Sequence, residues 1–312
     1  MNVGRGNTVR TLAAGVLLGV AAFLLLIQYA PDSVAFSPNN YGWNGLQQVA
    51  STYGVNFTTS FSSLPSSAVL VIGQPSINFT DTDAAAVRSF LSGGGTVLVA
   101  DKSGVANSLL LRLGSTITIQ NGRTISDGTY NWKSKSVPTA LVLPNAKSQF
   151  PFLRNASGIA LNQPSPLLIS GPQGVALAVT SEFSVTSPVA GGVSGARGPY
   201  VVMAAQKFGP GTLIVVGDSQ FLLNSEWNIA DNRALIGGLF MHKEVYVDAS
   251  HWGVTSIAQT KSVLGEFYSF VSAYPMRYIA TLFVVGLALA FVPSGRQGRP
   301  IPFNREEGGQ SS

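Results

Sequence analysis

The chain has no cysteine and only two histidines among its 312 residues. Without cysteine it can form no disulfide, carries no thiolate nucleophile and offers no cysteine ligand to a metal. Zinc sites usually draw on several His or Cys side chains, and an oxygen-ligated ion needs a denser acidic cluster than this sequence has. We therefore expect neither a metal nor a cofactor.

Charge is also scarce, at 11% of the residues, with a net charge of +5. Part of this positive balance comes from arginines beside two apolar segments near the chain ends. No Lys/Arg stripe with interleaved aromatics lies between these segments, so the composition predicts that the chain does not bind nucleic acid. The stretch between them, about 240 residues, is long enough to bury a full core.

The two apolar segments, residues 11–30 and 274–293, predict two transmembrane helices. The first has about twenty residues without a charge, enough to span a hydrocarbon core of about 30 Å. The second places Tyr274, Arg277 and Tyr278 where such side chains lie at a membrane interface. A cleaved signal peptide is the alternative interpretation of the first segment.

Arginines flank both segments on the side that faces the chain terminus. Because cytoplasmic segments near spans are enriched in Lys and Arg, we predict a two-pass protein of the cell membrane, with cytoplasmic ends at 1–10 and 294–312. Residues 31–273 would then form an extracytoplasmic domain, with the lipid bilayer as one partner. This domain carries the three N-glycosylation sequons of the chain, which start at Asn56, Asn78 and Asn155.

The order of apolar runs in the domain predicts an α/β fold. Buried strands are expected at 68–73 and 96–100, because both are short apolar runs bounded by turn residues. Helices are expected at 84–91 and 105–113, and this alternation indicates a parallel sheet with right-handed crossovers. The residues that can cap the first of these helices are Thr80, Asp81 and Thr82.

The rest of the domain departs from this alternation. From about residue 115 to 187, alternating apolar segments separated by Gly, Pro, Asn and Ser predict a β-rich insertion. A hairpin-like strand pair is expected to end near Val216, and a last helix to run from about 228 to 241. Residues 39–53 also predict a helix, with apolar side chains at helical spacing at Trp43, Leu46 and Val49.

Two motifs carry the candidate functional residues. In the first, Asp218 and Ser219 follow a buried strand, at the edge where α/β sheets usually bind ligands. The second contains Asp248 and His251, so that Asp248 could orient an imidazole while Ser219 supplies a nucleophile. This order resembles esterases with Gly-Asp-Ser at the first strand and Asp-x-x-His near the end. However, only about thirty residues separate Ser219 from His251, too few for the sheet and loops that lie between these motifs in such enzymes.

Three interpretations of the motifs remain open. Ser219, His251 and Asp248 could form the catalytic set of an extracytoplasmic serine hydrolase. The polar residues could instead bind a ligand, or they could cap turns and satisfy buried backbone groups. The candidate ligand contacts are Asp218, Ser219, Asn224, Asp231, Asn232, Asp248 and His251.

At these motifs the chain resembles a known family. The segments GGGTVLVADKSGVANSLLLRLG, GTLIVVGDSQFLLNSEWNIADNRALIGGL and VYVDASHWG, followed by an apolar span, are similar to those of domain-of-unknown-function family 4350. This family consists of uncharacterised prokaryotic membrane proteins. In relatives the last motif commonly reads Asp-Glu-x-His-His-Gly, whereas here Ala249 and Trp252 replace the Glu and the second His.

The resemblance implies a Rossmann- or flavodoxin-like exterior domain, similar to class I glutamine amidotransferases, with the β-rich insertion and two flanking transmembrane helices. Those enzymes use a Cys, His and Glu set, so a chain without cysteine cannot perform their chemistry. Relatives often accompany transporter components, or an AAA+ ATPase with neighbouring membrane proteins. We therefore expect a non-catalytic, membrane-anchored accessory or ligand/partner-binding module of such an assembly, with the serine hydrolase as the alternative.

Overall fold

The structure, a computed structural model, describes residues 15, 19, 35–189, 195, 197–252, 270, 273–279 and 282. The chain divides into two compact units, one of residues 31–255 and one of the terminal segments 1–30 and 256–312. In the terminal unit, residues 276–279 are helical, and the guanidinium of Arg277 lies 4.8 Å from the ring centre of Tyr278.

The prediction of two transmembrane helices is wrong for the part of the chain that the structure describes. No helix there is long and apolar enough to cross a membrane. The longest of its α-helices, Asp81–Ser92, has 12 residues. At 1.5 Å per residue such a helix spans about 18 Å, against a hydrocarbon core of about 30 Å. This finding overturns the two-pass placement in the cell membrane, with cytoplasmic ends and an extracytoplasmic domain. Most of segments 11–30 and 274–293 lies outside the described residues.

Five α-helices and thirteen strands are described between residues 35 and 252. The helices are α1 (Gln47–Tyr53), α2 (Asp81–Ser92), α3 (Asn107–Leu113), α4 (Pro144–Gln149) and α5 (Asn232–Phe240). The strands are β1 (Asn56–Thr58), β2 (Val69–Gly73), β3 (Thr96–Ala100), β4 (Ile117–Ile119), β5 (Arg123–Asp127), β6 (Thr139–Val142), β7 (Gly158–Ala160), β8 (Leu167–Ile169), β9 (Gly174–Val179), β10 (Ser184–Pro188), β11 (Val201–Phe208), β12 (Gly211–Val216) and β13 (Val245–Asp248). Short 3-10 helices lie at Pro151–Leu153 and Gln220–Leu222.

Nine of these strands form one mixed sheet, in the order β1-β13-β2-β3-β12-β11-β9-β6-β7. Strands β1, β13, β2, β3 and β12 are parallel, whereas β11, β9, β6 and β7 continue the sheet antiparallel. This corrects the predicted Rossmann- or flavodoxin-like architecture of the class I glutamine-amidotransferase type. The physical reason is the tight turn at Gly209 and Pro210, which reverses the chain between β11 and β12. Two smaller sheets pair β5 with β10 and β4 with β8.

Helices cover both faces of the central strands. All residues of β2 and β12 are buried, as expected for strands that are covered on both sides. One hydrophobic cluster on the sheet includes Leu235 and Leu239 of α5. A second cluster includes Val87 of α2 and Leu110 of α3. The described part of the domain is therefore a three-layer structure with the sheet in the middle.

A capping box starts α2. The Thr80 hydroxyl accepts a hydrogen bond from the amide of Asp83 at 3.2 Å, and the Asp83 carboxylate accepts one from the amide of Thr80 at 2.8 Å. Such a reciprocal pair satisfies two amide groups that have no partner inside the helix. Of the three residues predicted to cap this helix, Thr80 occupies the cap position.

The first helix is shorter than the sequence predicts. Helical structure begins only at Gln47, and Trp43, expected at helical spacing with two core residues, is 70% exposed. Asn40 explains the difference, because its carboxamide accepts a hydrogen bond from the amide of Gly42 at 2.8 Å and donates one to Asn44 at 2.9 Å. These local bonds fix a loop in place of a helical turn.

Gly217→Ala should destabilise the domain by about 3 kcal/mol, the cost of forcing extra volume into a packed site. A Cβ at Gly217 would lie 2.0 Å from the backbone oxygen of Ser165. The amide of Ser165 donates to the Gly217 carbonyl at 2.7 Å, so the two backbones cannot separate without losing this bond. Urea denaturation measures the loss. Gly128→Ala is the control, since a Cβ there meets no atom within 4 Å. Equal midpoints for the two variants would contradict the prediction.

Candidate functional site

Polar side chains end four neighbouring strands at one edge of the sheet, here called the carboxyl edge. Gln74 follows β2, Asp101 follows β3, Asp218 follows β12 after one glycine, and Asp248 is the last residue of β13. Because these strands are parallel and adjacent, their ends meet where α/β sheets usually bind ligands. The three carboxylates are buried, with at most 1% of each residue exposed.

Asp218 holds two loops by their backbone amides. Its Oδ1 accepts a hydrogen bond from the amide of Gln220 at 3.0 Å, and its Oδ2 accepts one from the amide of Asn162 at 2.8 Å. Complete burial raises the pKa of Asp218 to about 6, although these two bonds and the charge of Lys102 oppose the rise. The carboxylate therefore joins the loop after β12 to the loop after β7.

Glu226 is a second carboxylate in this environment, and its charge raises the pKa of Asp218 further. One oxygen of Glu226 accepts a hydrogen bond from the Asn162 side chain at 3.4 Å. The other is buried and has no hydrogen-bond partner among the described residues. Burial raises the pKa of Glu226, and the bond from Asn162 opposes this. A proton on either carboxyl group reduces the repulsion between the two.

Ser219 is bonded to Gln74. The fully buried Ser219 hydroxyl donates a hydrogen bond to the side-chain oxygen of Gln74. The amide of Gln74 in turn donates to the Ala100 carbonyl at 2.9 Å, at the end of β3. Ser219 therefore ties the ends of β12, β3 and β2 together.

His251 is enclosed by two carboxylates, the Ser250 hydroxyl and the rings of Phe61 and Phe79. Its Nδ1 lies 2.7 Å from Asp248 Oδ2, and its Nε2 lies 3.5 Å from Asp83 Oδ2. The imidazole stacks on Phe79, with ring centres 3.8 Å apart and planes inclined by 20°. Burial of Asp83 raises its pKa, but hydrogen bonds from Thr80 and the neighbouring His251 outweigh burial and hold this pKa below its ordinary value. Both ring nitrogens are therefore directed at carboxylates.

The candidate catalytic residues divide into two separate groups of contacts. A nucleophilic serine needs a hydrogen bond to the base that takes its proton. Among the described residues, no hydrogen bond joins Ser219 to His251, because Ser219 bonds Gln74 while His251 faces Asp248 and Asp83. The structure brings Asp248 and His251 together with the Ser250 hydroxyl, which lies 3.0 Å from His251 Nδ1 and donates a hydrogen bond to Asp248 at 2.6 Å, but it does not bring Ser219 to them.

The other predicted ligand contacts, Asn224, Asp231 and Asn232, also bond the chain's own backbone. Asn224 accepts a hydrogen bond of 2.9 Å from an amide in the first turn of α1. Asp231 accepts bonds of 2.7 and 3.0 Å from two successive amides at the start of β7. The buried Asn232 exchanges two bonds of 3.0 Å with the last residue of β7. These side chains hold loops and helix starts against the sheet.

The remaining candidate sites concern glycans and metals. The sequon residues Asn56, Asn78 and Asn155 are exposed, as a glycan attachment site must be. Attachment of a glycan at each of them stays a prediction. In the part of the chain that the structure describes, no group of three or more His, Asp or Glu side chains is arranged to hold a metal ion.

Asp101 is a hydrogen-bond centre that the sequence reasoning did not single out. Its oxygens accept bonds from the amide of Ser103 at 2.7 Å and the amide of Ala106 at 2.9 Å. Since Asp101 directly follows an apolar strand, the rule that identified Asp218 would also have found it. Asn162 lies 56 positions from Asp218, and no local pattern signals their contact.

Three exposed aromatic side chains, Tyr130, Trp132 and Phe183, form what we call the aromatic surface. Their exposed fractions are 50%, 41% and 47%. The rings of Tyr130 and Phe183 stack with centres 6.5 Å apart and planes 18° apart. The buried Asp127 positions both loops, because it accepts one hydrogen bond from the amide of Tyr130 at 2.8 Å and another from the hydroxyl of Ser181.

Asp218→Asn should flatten the dependence of stability on pH. The folded-state pKa of about 6 lies above the ordinary value of 3.8. The folded protein therefore binds this proton more tightly than the unfolded chain, and the resulting stability is lost as the pH rises from about 4 to about 6. A shift of this size corresponds to about 3 kcal/mol. Urea denaturation across this range should show the wild-type midpoint falling relative to that of the variant, and parallel curves would contradict the assignment.

Three solved structures are similar to this chain to different degrees. The mmIFT52 N-terminal domain is 15% identical, with a TM-score of 0.50 over 68% of this chain and 93% of that one. A putative ThuA-like protein from Bacteroides uniformis ATCC 8492 is 14% identical, with a TM-score of 0.39 over 62% of this chain and 82% of that one. A beta-galactosidase from Bacillus circulans sp. alkalophilus is 15% identical, with a TM-score of 0.31 over 55% of this chain and only 22% of that one.

At these identities the likeness to the mmIFT52 domain concerns the fold alone. No curated protein matches the sequence. The model of the family described as a domain of unknown function, DUF4350, matches residues 35–240, which is more than half of the chain, and the chain therefore belongs to the DUF4350 family.

Proposed function

We propose that the domain is a non-catalytic binding module that recognises a partner protein through the aromatic surface. The observation that carries this proposal is the exposure of Tyr130, Trp132 and Phe183 on two loops that the buried Asp127 holds together. Large exposed apolar side chains in one place commonly mark an interaction site. Tyr and Trp are also enriched among the residues that contribute most to binding.

The organisation of the two loops favours binding further. The side-chain amide of Asn131 donates to the Asp127 carbonyl at 2.9 Å, and the amide of Trp132 donates to the Val137 carbonyl at 2.9 Å. The turn that presents Tyr130 and Trp132 is therefore held by its own hydrogen bonds. A surface that is already ordered loses less conformational entropy when a partner binds.

The contacts at the carboxyl edge support a non-catalytic role. Asp218, Ser219 and Asp248 are at most 1% exposed and bond other parts of the chain. A substrate would have to break these bonds before it could reach Ser219. Amidotransferase chemistry is excluded more simply, because the sequence has no cysteine.

The candidate partners are those that the family resemblance implies. They are transporter subunits, or an AAA+ ATPase with its neighbouring proteins. We propose the domain as an accessory component of such an assembly, with the aromatic surface as its contact.

Replacing the three rings should remove the partner. A variant with Tyr130→Ser, Trp132→Ser and Phe183→Ser should lose at least about tenfold in the amount of co-purified partner, because hot-spot aromatics often contribute 2 kcal/mol or more each. Quantitative mass spectrometry of affinity-purified complexes measures this. A photo-crosslinking residue at position 132 should become linked to the same protein.

The matched control is Tyr41→Ser with Trp43→Ser. These rings are 79% and 70% exposed, on a loop that does not belong to the aromatic surface. The control should keep the partner. Equal recovery with wild type and the triple variant, or loss of the partner in the control alone, would refute the assignment.

Ser219→Ala should leave partner binding intact and cost the fold only about 1 kcal/mol, the typical contribution of one hydrogen bond. Wild-type protein should not react with a fluorophosphonate probe, because Ser219 is buried and bonded to Gln74. Labelling is read by mass spectrometry of the peptide that contains position 219. Covalent modification there in the wild type would support the hydrolase instead.

A further inference from the structure

A cavity of about 310 Å³ lies at the opposite edge of the sheet from the polar strand ends, beside the first residues of β3 and β12. Thr96, Thr212 and Lys207 line it and are direct register partners across β3, β12 and β11. Their side chains therefore stand side by side on the sheet face that α5 covers. We call this cavity the lysine pocket.

Lys207 lines the lysine pocket as an exposed residue, and two contacts hold its ammonium group in position. Its ammonium group donates a hydrogen bond of 2.8 Å to the Thr212 hydroxyl and lies 5.4 Å from the ring centre of Phe150. A hydroxyl acceptor and an aromatic face fix the direction of the charge but do not neutralise it.

Lys243, which follows α5, lines the pocket as a second cation. Partial burial lowers the pKa of Lys243, and the positive charge of Lys207 lowers it further. Both lysines line the same cavity, so it carries two positive charges. Within residues 35–189 and 197–252, neither of them forms an ion pair with a carboxylate.

We propose that the lysine pocket binds the phosphate group of a small molecule. Two lysines that line one cavity whose lining has no carboxylate match a phosphate monoester, which carries about −1.5 to −2 charges at neutral pH, better than a singly charged carboxylate. Lysine commonly binds phosphate as a point charge. The Thr96 hydroxyl and the Gln149 amide, which also line the cavity, supply further donors.

The size and surroundings of the lysine pocket limit the ligand. A volume of about 310 Å³ lies at the lower end of the range of roughly 300–1,000 Å³ for small-molecule sites. Phe150 and Phe152 provide an apolar wall. Lys243 and Gly238 also line an open groove of about 1250 Å³ beside α5, together with Arg233. The phosphate occupies the lysine pocket, and the rest of the ligand extends into this groove.

The test is titration of the full chain with inorganic phosphate, followed by calorimetry and by phosphorus NMR line broadening. Wild-type protein should bind phosphate saturably, and Lys207→Gln and Lys243→Gln should each weaken binding at least tenfold. Lys243→Arg should retain most of the affinity, because it keeps the charge. Lys135→Gln, which removes an exposed lysine outside the pocket, should bind like the wild type. Acetate in place of phosphate should bind at least severalfold more weakly.

Chemical modification gives a second measurement on the folded wild-type protein. An amine-acylating reagent should modify Lys243, and phosphate should protect it, as read by peptide mass spectrometry. The proposal is overturned if the wild type shows no saturable binding below about 10 mM phosphate. Such a result would mean that the binding free energy is weaker than about −3 kcal/mol. It is equally overturned if all the lysine variants, including Lys135→Gln, lose affinity to the same extent. Because the lysine pocket and the aromatic surface share no residue, failure here leaves the partner-binding proposal standing.

Discussion

Buried carboxylates that accept hydrogen bonds from backbone amides hold the loops of this domain. A buried amide without a partner costs about 1–3 kcal/mol, so every loop that packs over the sheet needs an acceptor. Asp101, Asp218 and Asp248 supply it after the parallel strands, Asp127 does the same for the loop after β5, and the half-buried Asp231 does so at the start of β7. Some of the donating amides lie just beyond the strand end, and others lie far away in the sequence. Asp218, for example, accepts one bond from Gln220 and one from Asn162, 56 positions away. The positions of these loops therefore depend on a few acidic side chains.

This constraint explains how far the sequence could predict the domain. The strands around residues 69–73 and 96–100 and the helix that begins after Thr80 follow from apolar runs and a local cap, and both kinds of signal lie within a few positions. The order of the nine strands does not, because the pairing of β13 between β1 and β2 joins segments that are far apart in the chain. Trp43 shows the same limit on a smaller scale, since hydrogen bonds of Asn40 override its helical spacing.

The candidate site was harder to predict for a chemical reason. Asp, Ser and His side chains that hold loops are the same residue types that perform hydrolysis, so a motif such as Asp248 with His251 is compatible with both roles. Only the contacts of each polar atom distinguish the two roles, and the contacts of Ser219 with Gln74 and of His251 with Asp83 are made between different elements.

The aromatic surface was missed because exposure of a ring depends on the fold around it. The pairing of Lys207 with Thr212 follows from the hairpin, but the approach of Lys243 comes from a different part of the chain.

The shared attachment of two loops to Asp127 has a consequence for engineering. The ring of Tyr130 belongs to one loop and the ring of Phe183 to another, yet a single side chain sets the position of both. Transplanting either loop alone into a different scaffold would separate the rings from their common anchor. A functional graft would have to carry the acidic residue, both loops and the strand pair β5 and β10 as one unit.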